Sequence, residues 1–555
     1  MLLRFLAILA LLSAAYLVGN NKTSLWDRDE PRYAQASRQM LESGDWVVPR
    51  LLDDLRLKKP VMIYWLQATA MKYLGVSAAA ARLPSVIATI LTLILITWAV
   101  AWTVNWRVAL WTAFIYGTAG LTVAAAKMAI TDATLTLFVL SAQLCLYRAY
   151  VGKGGWFTAA AMGLAVGLAG LTKGPVVIGV LGSTILALIL LRVMERWWPS
   201  APAMAQPRRQ LHPLRMILKM LLVLGIAIAV IAPWWHAVET RHPGTLWQAL
   251  WQEVFVRAGK PQEGHKGPPG YYALAVWVTF FPWSLLLLGA LAEAWRLRAD
   301  PTIRFALAAV IGPWIMFELV ATKLPHYVLP CYAPLSYLVA RVLIRSDDGD
   351  TQEFHQPWWP NAVAIWSVIV AIVGVAPWLA AYFLHPLPWQ TYVAFGLLSA
   401  WAIFYGVKVH AEFDRRYPAA AAMWMGLGML GNVFILYTGV FPVSQYMRLG
   451  QRVADLLPAD IRPGEAKMID FKEMSVAFYS NGAIREESND KFLIDTPPEQ
   501  WPKYLVLTEA IWKRTPEELK AKLELVGPPV VGWNYSGDDA DGNRIVKVLV
   551  LRKRT

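Results

Sequence analysis

The chain has 555 residues, of which 57% are hydrophobic and only 16% are charged, against roughly 25% charged residues in soluble domains. Apolar stretches close to the ~20 residues that cross a bilayer recur from Leu2 to about Val443, which excludes a soluble fold for most of the chain. The net charge of +14 does not indicate a nucleic-acid partner, because an excess of Lys and Arg in a membrane protein records its orientation.

The apolar stretches predict an all-α membrane bundle of about thirteen transmembrane helices. They are centred near Leu11, Ile94, Tyr116, Val139, Ala165, Ser183, Ala227, Phe280, Val310, Leu335, Val370, Leu398 and Leu430. With the N-terminus inside the cell, every even-numbered connection is basic, as the positive-inside rule requires. The outer face then receives two long loops, 21–83 and 239–270.

The first segment, Met1 to Asn20, is either a signal peptide or a retained helix, and both place residue 21 onward outside. The long apolar run and the poor cleavage-site match favour a retained helix. Cys145 and Cys331 each lie inside an apolar run, which predicts small core residues and no disulfide framework.

The chain divides by composition into a transmembrane domain, 1–445, and a polar segment, 446–555, which we expect to form an α/β domain on the outer side. The runs Tyr504–Thr508, Val530–Tyr535 and Arg544–Leu551 predict strands. Thr515–Gly527 has the N-cap, the early acids and the terminal Gly of a helix. Because this segment has no metal or nucleophile motif, we expect it to serve as a scaffold or to dock the acceptor.

The first outer loop carries an acidic pair, Asp29 and Glu30, at the start of a short amphipathic helix. Such acids can cap free N–H groups and complement the helix dipole. They can equally provide a base, a metal ligand or a partner for a cationic sugar. Asp132 opens a predicted span at the same surface, with the same two interpretations.

Cationic side chains reach the same face from several loops. They are Arg32, Lys58, Lys59, Lys173, His265, Lys266, Lys323 and His326. Each alone is typical of an interfacial residue whose charge reaches water, but together they would form a pocket for phosphate groups. The neighbouring aromatic residues fit an interfacial belt or surfaces on which a sugar stacks: Tyr33, Tyr64, Trp65, Tyr271, Tyr272 and Tyr327.

Three runs of the first outer loop resemble those of the aminoarabinose lipid A transferases, in the protein O-mannosyltransferase-like superfamily. The runs are W-x-x-D-E-P-R-Y-A, S-G-D-W-x-x-P-R-L and K-K-P-x-x-x-Y-W-L, and LTKGP and KLPHYVLP farther along are also similar. The likeness covers the membrane region. It departs in the additional acid Asp27 and in Lys58, where relatives often have Glu.

The resemblance implies a C-type glycosyltransferase fold in the bacterial inner membrane, with its active site and C-terminal domain periplasmic. It implies inverting transfer of 4-amino-4-deoxy-L-arabinose from undecaprenyl phosphate to a lipid A phosphate, which gives resistance to polymyxin and cationic peptides. Carried over by position, the expected catalytic residues are Asp29, Glu30 and Asp132. The expected substrate-binding residues are Arg32, Tyr33, Lys59, Tyr64, Lys173, His265, Lys323, His326 and Tyr327.

Two other functions stay open from the sequence. A protein O-mannosyltransferase of the same fold would need Asp29 as a genuine base, because its acceptor is a hydroxyl. A lipid or polysaccharide transporter is disfavoured, since neither an inverted repeat nor many intramembrane charges are evident. No cofactor is certain. A divalent ion, with His265 as a candidate ligand, is left open.

Overall fold

The computed structural model describes residues 1–26, 28–198, 213–256, 259, 267–350, 359–384, 387–535, 537 and 539–554. Its membrane part is a helical bundle. The helices are Leu2–Leu17, Glu30–Ser43, Met62–Leu74, Ala78–Thr103, Trp106–Thr118, Gly120–Ala126, Asp132–Tyr150, Trp156–Lys173, Val176–Trp197, Pro213–Arg241, Thr245–Trp251, Tyr271–Thr279, Ser284–Arg296, Pro301–Leu319, Tyr332–Asp347, Trp359–Leu384, Trp389–Asp414 and Pro418–Ile435. Short 3-10 or π-helical turns cover Gln252–Val256, Pro325–Cys331, Leu436–Val440 and Phe441–Val443.

Within the described ranges, nine helices are long and apolar enough to cross a membrane, and a tenth span is formed if Trp106–Thr118 and Gly120–Ala126, bent by 67°, count as one. The other three predicted centres fall elsewhere. Leu11 lies in a helix of 16 residues and Val139 in the helix Asp132–Tyr150, while Phe280 lies in the break after Tyr271–Thr279. The chain is therefore a multi-pass membrane protein, with fewer long spans than the thirteen predicted.

The helix Trp156–Lys173 packs closely against Pro213–Arg241 through glycine. A Cβ atom on Gly163 would lie 2.8 Å from the Val223 carbonyl oxygen, and one on Gly167 would lie 2.7 Å from the Val230 Cβ. Small residues of this kind let membrane helices approach without a hydrophobic driving force. This helix ends at Lys173, so its packing sets the position of that side chain.

The first helix is secured at its C-terminal end by Lys127. The Lys127 ammonium group donates hydrogen bonds to the carbonyl oxygens of Ala15 (3.1 Å), Tyr16 (3.2 Å) and Val18 (2.7 Å). It also lies 3.8 Å from the centre of the Tyr437 ring. The last carbonyls of a helix have no partner within the helix, so this cation satisfies them and complements the dipole.

The C-terminal region contains six strands, β3 (Ala466–Ile469), β4 (Ile484–Glu487), β5 (Tyr504–Thr508), β6 (Leu523–Leu525), β7 (Val530–Trp533) and β8 (Ile545–Lys553). They form a mixed sheet in the order β4-β3-β5-β8-β6, with β7 paired to β8. Helices Leu449–Ala454, Met474–Tyr479, Phe492–Asp495, Glu509–Arg514 and Glu517–Lys520 and the 3-10 turn Pro498–Gln500 complete the region. The first loop has its own hairpin, β1 (Arg50–Leu51) with β2 (Asp54–Leu55).

The three predicted strands are found, but the predicted helix Thr515–Gly527 is wrong in its second half. The helix covers only Glu517–Lys520, and Leu523–Leu525 forms β6. There Leu523 pairs with Lys553 and Leu525 with Leu551 of β8. Pairing with a long neighbouring strand overrides the local helix preference.

The C-terminal region packs directly on the first loop. The Leu25 N–H donates to the Tyr479 hydroxyl (2.8 Å), and the Arg38 guanidinium donates to the Asn481 side-chain oxygen (2.8 Å). Arg485 donates to the Asp53 carboxylate (2.6 Å) farther along the loop. These contacts place the sheet at the end of the bundle that carries the predicted site.

Candidate active site

A cavity of about 530 Å³ opens among the helices at this end of the bundle. Its polar lining is Lys58, Lys59, Asp132, Lys173, Glu253 and Tyr327. The rest of the wall is mostly apolar and continues between helices, with Val166, Ile231, Trp234, Leu250 and Met316 among its members. The cavity therefore combines a charged end with a hydrophobic path into the bundle.

Asp29 precedes the helix Glu30–Ser43 and stands at its N-cap position, but its side chain makes no capping hydrogen bond. The side chain is 49% exposed, and its Oδ1 lies 3.8 Å from the Arg32 guanidinium. Helix capping, the structural role that the sequence left open, therefore does not explain why a carboxylate stands at this position. Asp29 and Arg32 are both positioned to meet a polar molecule at the bundle surface.

Glu30 has a different environment, because it is fully buried in an ion pair with Arg82. The two side chains form a pair of hydrogen bonds of 2.8 and 2.9 Å. Glu30 also accepts from the Ala129 N–H (2.7 Å), and Arg82 donates to the backbone of the preceding loop at Asn20, Thr23 and Ser24. With its oxygens engaged in this way, Glu30 shapes the loop that presents Asp29.

Asp132 is the first residue of its helix and is 4% exposed. Its Oδ1 accepts a hydrogen bond from Lys173 (2.7 Å), and its Oδ2 lies 3.9 Å from His326 Nε2. The Lys173 ammonium group also lies 5.0 Å from the centre of the Tyr327 ring. Lys173 and His326, which come from two separate segments, thus meet at the carboxylate of Asp132.

Lys59 forms an ion pair with Glu253, which lies in the short π-helical turn Gln252–Val256. Both side chains line the cavity, and they are 16% and 15% exposed. The two predicted outer loops therefore meet through this pair. Lys58 lines the same wall.

Tyr33 and Tyr64 are buried side by side, with ring centres 5.7 Å apart. The guanidinium group of Arg56 lies 5.2 Å from the centre of the Tyr33 ring. Burial raises the pKa of Tyr33 well above its usual value, and the negative charge of Asp29 adds to this shift. Tyr33 thus stays protonated. It lies close enough to Asp29 to feel its charge, and its ring packs against Tyr64 in the buried part of the loop.

Lys323 lies outside the cavity wall and pairs with Glu318 (3.1 Å) and with the Glu318 carbonyl. The same carboxylate accepts from the N–H groups of Gly270 (2.8 Å), Tyr271 (3.0 Å) and Tyr272 (3.2 Å). The predicted cations are therefore not gathered in one cluster. Lys59 and Lys173 line the cavity, while Lys323 anchors the start of the helix Tyr271–Thr279.

His265 falls outside the described residues, so its predicted role as a substrate or metal ligand is not placed. In the remainder of the chain that the structure describes, no three His, Cys, Asp or Glu side chains are grouped as metal ligands. The possible divalent ion stays a sequence-based expectation.

Three residues of this region were not identified from the sequence. Glu253 lies in a loop of mixed composition, where no spacing distinguishes it. Arg56 directly follows β2 and is separated from the K-K-P run by Leu57, and it gives no local signal. Arg82 interrupts the run AAAARLPS, and an Arg inside such an apolar stretch is the one signal that could have predicted a buried partner.

The arrangement suits a phosphorylated lipid. Two lysines at the charged end can stabilise phosphate charge, and the apolar path can take an acyl or prenyl chain. The half-exposed carboxylate of Asp29 and the guanidinium of Arg32 can contact a polar reactant at the surface.

The fold is similar to that of ArnT from Cupriavidus metallidurans, whose crystal structures include one bound to undecaprenyl phosphate. The TM-score is 0.73 at 18% identity, over 98% of this chain and 97% of that chain. An oligosaccharyltransferase from Archaeoglobus fulgidus matches more weakly, with a TM-score of 0.50 at 12% identity over 91% and 69%. The bundle with its C-terminal sheet is therefore a C-type glycosyltransferase fold, as the sequence predicted.

Sequence relatives narrow the class. The undecaprenyl phosphate-alpha-4-amino-4-deoxy-L-arabinose arabinosyl transferase of Serratia proteamaculans is 32% identical over 424 residues, 73% of this chain and 72% of that protein. Its namesake in Pectobacterium carotovorum is 33% identical over 343 residues, 61% of this chain and 58% of that protein. The chain belongs to this transferase family.

The sequence matches cover only part of the relatives and of this chain. The matched part of the chain spans only 58% of the length of the two Pectobacterium relatives. The family model of dolichyl-phosphate-mannose-protein mannosyltransferases matches residues 1–256, which include the five charged side chains of the cavity lining. The match to this model therefore covers the charged end of the cavity and not the C-terminal region.

Proposed function

We propose that this protein transfers 4-amino-4-deoxy-L-arabinose from undecaprenyl phosphate to a phosphate of lipid A. The observation that carries the proposal is the cavity, in which Lys59 and Lys173 line one end and an apolar wall continues into the bundle. Relatives in the family bear the name of this donor. A polyprenyl phosphate needs both features, a cationic head site and a hydrophobic path for its tail.

The reaction is a single displacement at the anomeric carbon. A phosphate oxygen of the acceptor forms the new bond to this carbon, the bond to the donor phosphate oxygen breaks, and undecaprenyl phosphate leaves with the electron pair. Lys59 and Lys173 stabilise the charge that grows on the leaving phosphate. Inversion of configuration at the sugar follows from one displacement.

Asp29 acts mainly by orientation. An acceptor phosphate is already ionised near neutral pH and hardly needs a base, so the exposed Asp29 carboxylate has the task of positioning a reactant beside Arg32. Tyr33 and Tyr64 pack beneath this segment and keep it in place. Lys323 and His326 are further candidates for acceptor contact, since both lie at the same end of the bundle.

The site faces the periplasm in this proposal. The supporting observation is the charge pattern of the sequence, which leaves the basic connections on the cytoplasmic side and the two long loops on the other. The bundle then lies in the inner membrane and the C-terminal sheet region is periplasmic. The modification lowers the negative charge of the outer surface and so gives resistance to polymyxin and cationic peptides.

The direct test is mass spectrometry of lipid A from a polymyxin-sensitive strain without its own transferase. The strain is complemented with the intact chain, with Asp29→Ala, or with Glu42→Ala, which removes an exposed carboxylate of the same helix as a control. We expect an aminoarabinose adduct with the intact chain and the control, and a loss of at least 100-fold with Asp29→Ala.

Two results would contradict the proposal in different ways. An intact chain that is well inserted in the membrane but leaves lipid A unchanged would point to another sugar or acceptor, such as a protein hydroxyl. An adduct of equal amount from Asp29→Ala would place the reacting centre away from the first loop.

A further inference from the structure

Two ion pairs share the charged end of the cavity. Asp132 pairs with Lys173 at 2.7 Å and Glu253 pairs with Lys59. Their side chains are between 6% and 16% exposed, so their charges act on each other more strongly than at a solvated surface. With Lys58, the lining has three positive and two negative charges, a net charge of +1.

A phosphate group that binds Lys59 or Lys173 must compete with the acidic partner of that lysine. Lys173 is held by Asp132 within the helical bundle, and His326 adds a further contact there. Lys59 is held by Glu253 from the second outer loop. If the phosphate takes Lys59, Glu253 loses this ion pair at a position where it is only 15% exposed, and such a loss is costly unless another cation replaces the lysine.

We infer that Glu253 determines specificity for a cationic sugar by exchanging partners: it pairs with Lys59 until the donor phosphate takes that lysine, and then accepts the ammonium group of the sugar. The inference rests on the proposed function and assigns recognition of the donor's amine to the Glu253 carboxylate. The donor then enters as a zwitterion, and each of its charges meets an opposite one.

The dimensions of the donor allow this exchange. The amine is on the ring carbon opposite the anomeric carbon, which places nitrogen about 5–6 Å from phosphorus given bonds of about 1.5 Å. Glu253 and Lys59 are in direct contact in the structure. A phosphate on Lys59 would therefore bring the sugar's ammonium group within hydrogen-bonding reach of the Glu253 carboxylate.

The other acids at this end are less suited to the amine. Asp132 is 4% exposed and holds the more buried lysine, so freeing it would break the ion pair of Lys173. Glu30 is committed to Arg82. Asp29 is 49% exposed and stands beside Arg32, where solvent and a cation both weaken its attraction for an ammonium group.

The test compares Glu253→Gln with the intact chain in purified, lipid-reconstituted form. The probes are undecaprenyl phosphate alone, its aminoarabinose conjugate, and its arabinose conjugate with a hydroxyl in place of the amine. Removal of the negative charge should tighten binding of undecaprenyl phosphate about three- to tenfold, because the Glu253 carboxylate no longer competes with the phosphate for Lys59. The kcat/KM for the aminoarabinose conjugate should fall about tenfold or more relative to that for the arabinose conjugate, which has no ammonium group to lose and should not fall.

These opposite effects separate specificity from damage to the fold, because a misfolded site would weaken binding and catalysis together. Glu253→Asp should keep most of the preference for the amine. Glu239→Gln is the matched control: its carboxylate accepts from Gly244 and Leu246 at the start of the same loop and does not line the cavity. It should leave the ratio of the two donors unchanged.

Each outcome decides a separate point. If the intact chain transfers aminoarabinose and Glu253→Gln keeps the same ratio of the two donors, the inference is wrong and the proposed function stands. Equal loss for both donors, with weaker binding of undecaprenyl phosphate, would also overturn the inference. If the intact chain transfers neither sugar, the proposed function itself fails.

Discussion

Glu473 is a buried carboxyl group of the C-terminal region, close enough to Arg32 of the first loop to feel its charge. It is 1% exposed, and burial raises its pKa to about 7, despite hydrogen bonds from Ser475 and Tyr535 and the nearby charge of Arg32 that lower it. Between pH 4.5, the ordinary pKa of a Glu side chain, and about pH 7, the carboxyl group loses its proton in the unfolded chain but keeps it in the folded protein. The free energy of unfolding should therefore fall as pH rises through this window, by about 3 kcal/mol.

Replacement of Glu473 by Gln checks this pH dependence, because the amide resembles the protonated acid. Thermal unfolding of the full chain in detergent, followed from pH 4.5 to 8, should show a decline for the intact protein and a flatter profile for Glu473→Gln. Identical profiles for the two proteins would show that Glu473 does not titrate in this window.

The buried ion pair between Glu30 and Arg82 should contribute to the free energy of unfolding. Arg82→Met leaves a fully buried carboxylate without its cation and should destabilise the protein by about 3–5 kcal/mol. Arg107→Met is the control, because that arginine pairs with Asp347 and Asp348 at the surface and should cost about 1 kcal/mol or less. Thermal unfolding of both variants measures the difference. Equal effects would contradict the structural role of Glu30.

Helix packing controls the position of Lys173. Gly167→Leu would force the helix Trp156–Lys173 away from Pro213–Arg241, since even a Cβ would meet Val230 at 2.7 Å. We expect a loss of about 1–3 kcal/mol in stability and a fall in transferase activity. Gly182→Leu, in another long helix with open space beside it, should change neither. Unfolding and lipid A mass spectrometry test both variants.

The sequence predicted the elements whose pattern is local. Strand β5 has the predicted bounds, and twelve of the thirteen predicted span centres lie in helices. Hydropathy also placed Asp29, Lys59, Asp132 and Lys173 at one end. It could not predict partners, because pairing depends on contacts between distant loops: Lys59 meets Glu253 across 194 residues. For the same reason it gave β6 to a helix and did not predict that Arg82 pairs with Glu30.

The orientation of the whole molecule is tested by labelling. Cysteine is placed at Asp490, exposed in the C-terminal region, or at Arg415, exposed at the end of the helix Trp389–Asp414, after Cys145 and Cys331 are replaced by Ala. A maleimide that does not cross the inner membrane should label the Asp490→Cys protein in intact cells with a permeable outer membrane. It should label Arg415→Cys only after lysis. The reverse pattern would invert the proposed topology.

The contacts of the first loop also set an order of events on the ribosome. Glu30 and Arg82 are 52 residues apart, whereas Leu25 and Tyr479 are separated by 454. At roughly 5–20 residues per second, Arg82 follows Glu30 within about 3–10 s, while Tyr479 follows Leu25 after about 20–90 s. A nascent chain can therefore form the Glu30–Arg82 pair long before Tyr479 is made, and the contact between the first loop and the C-terminal region becomes possible only after translation has passed residue 479.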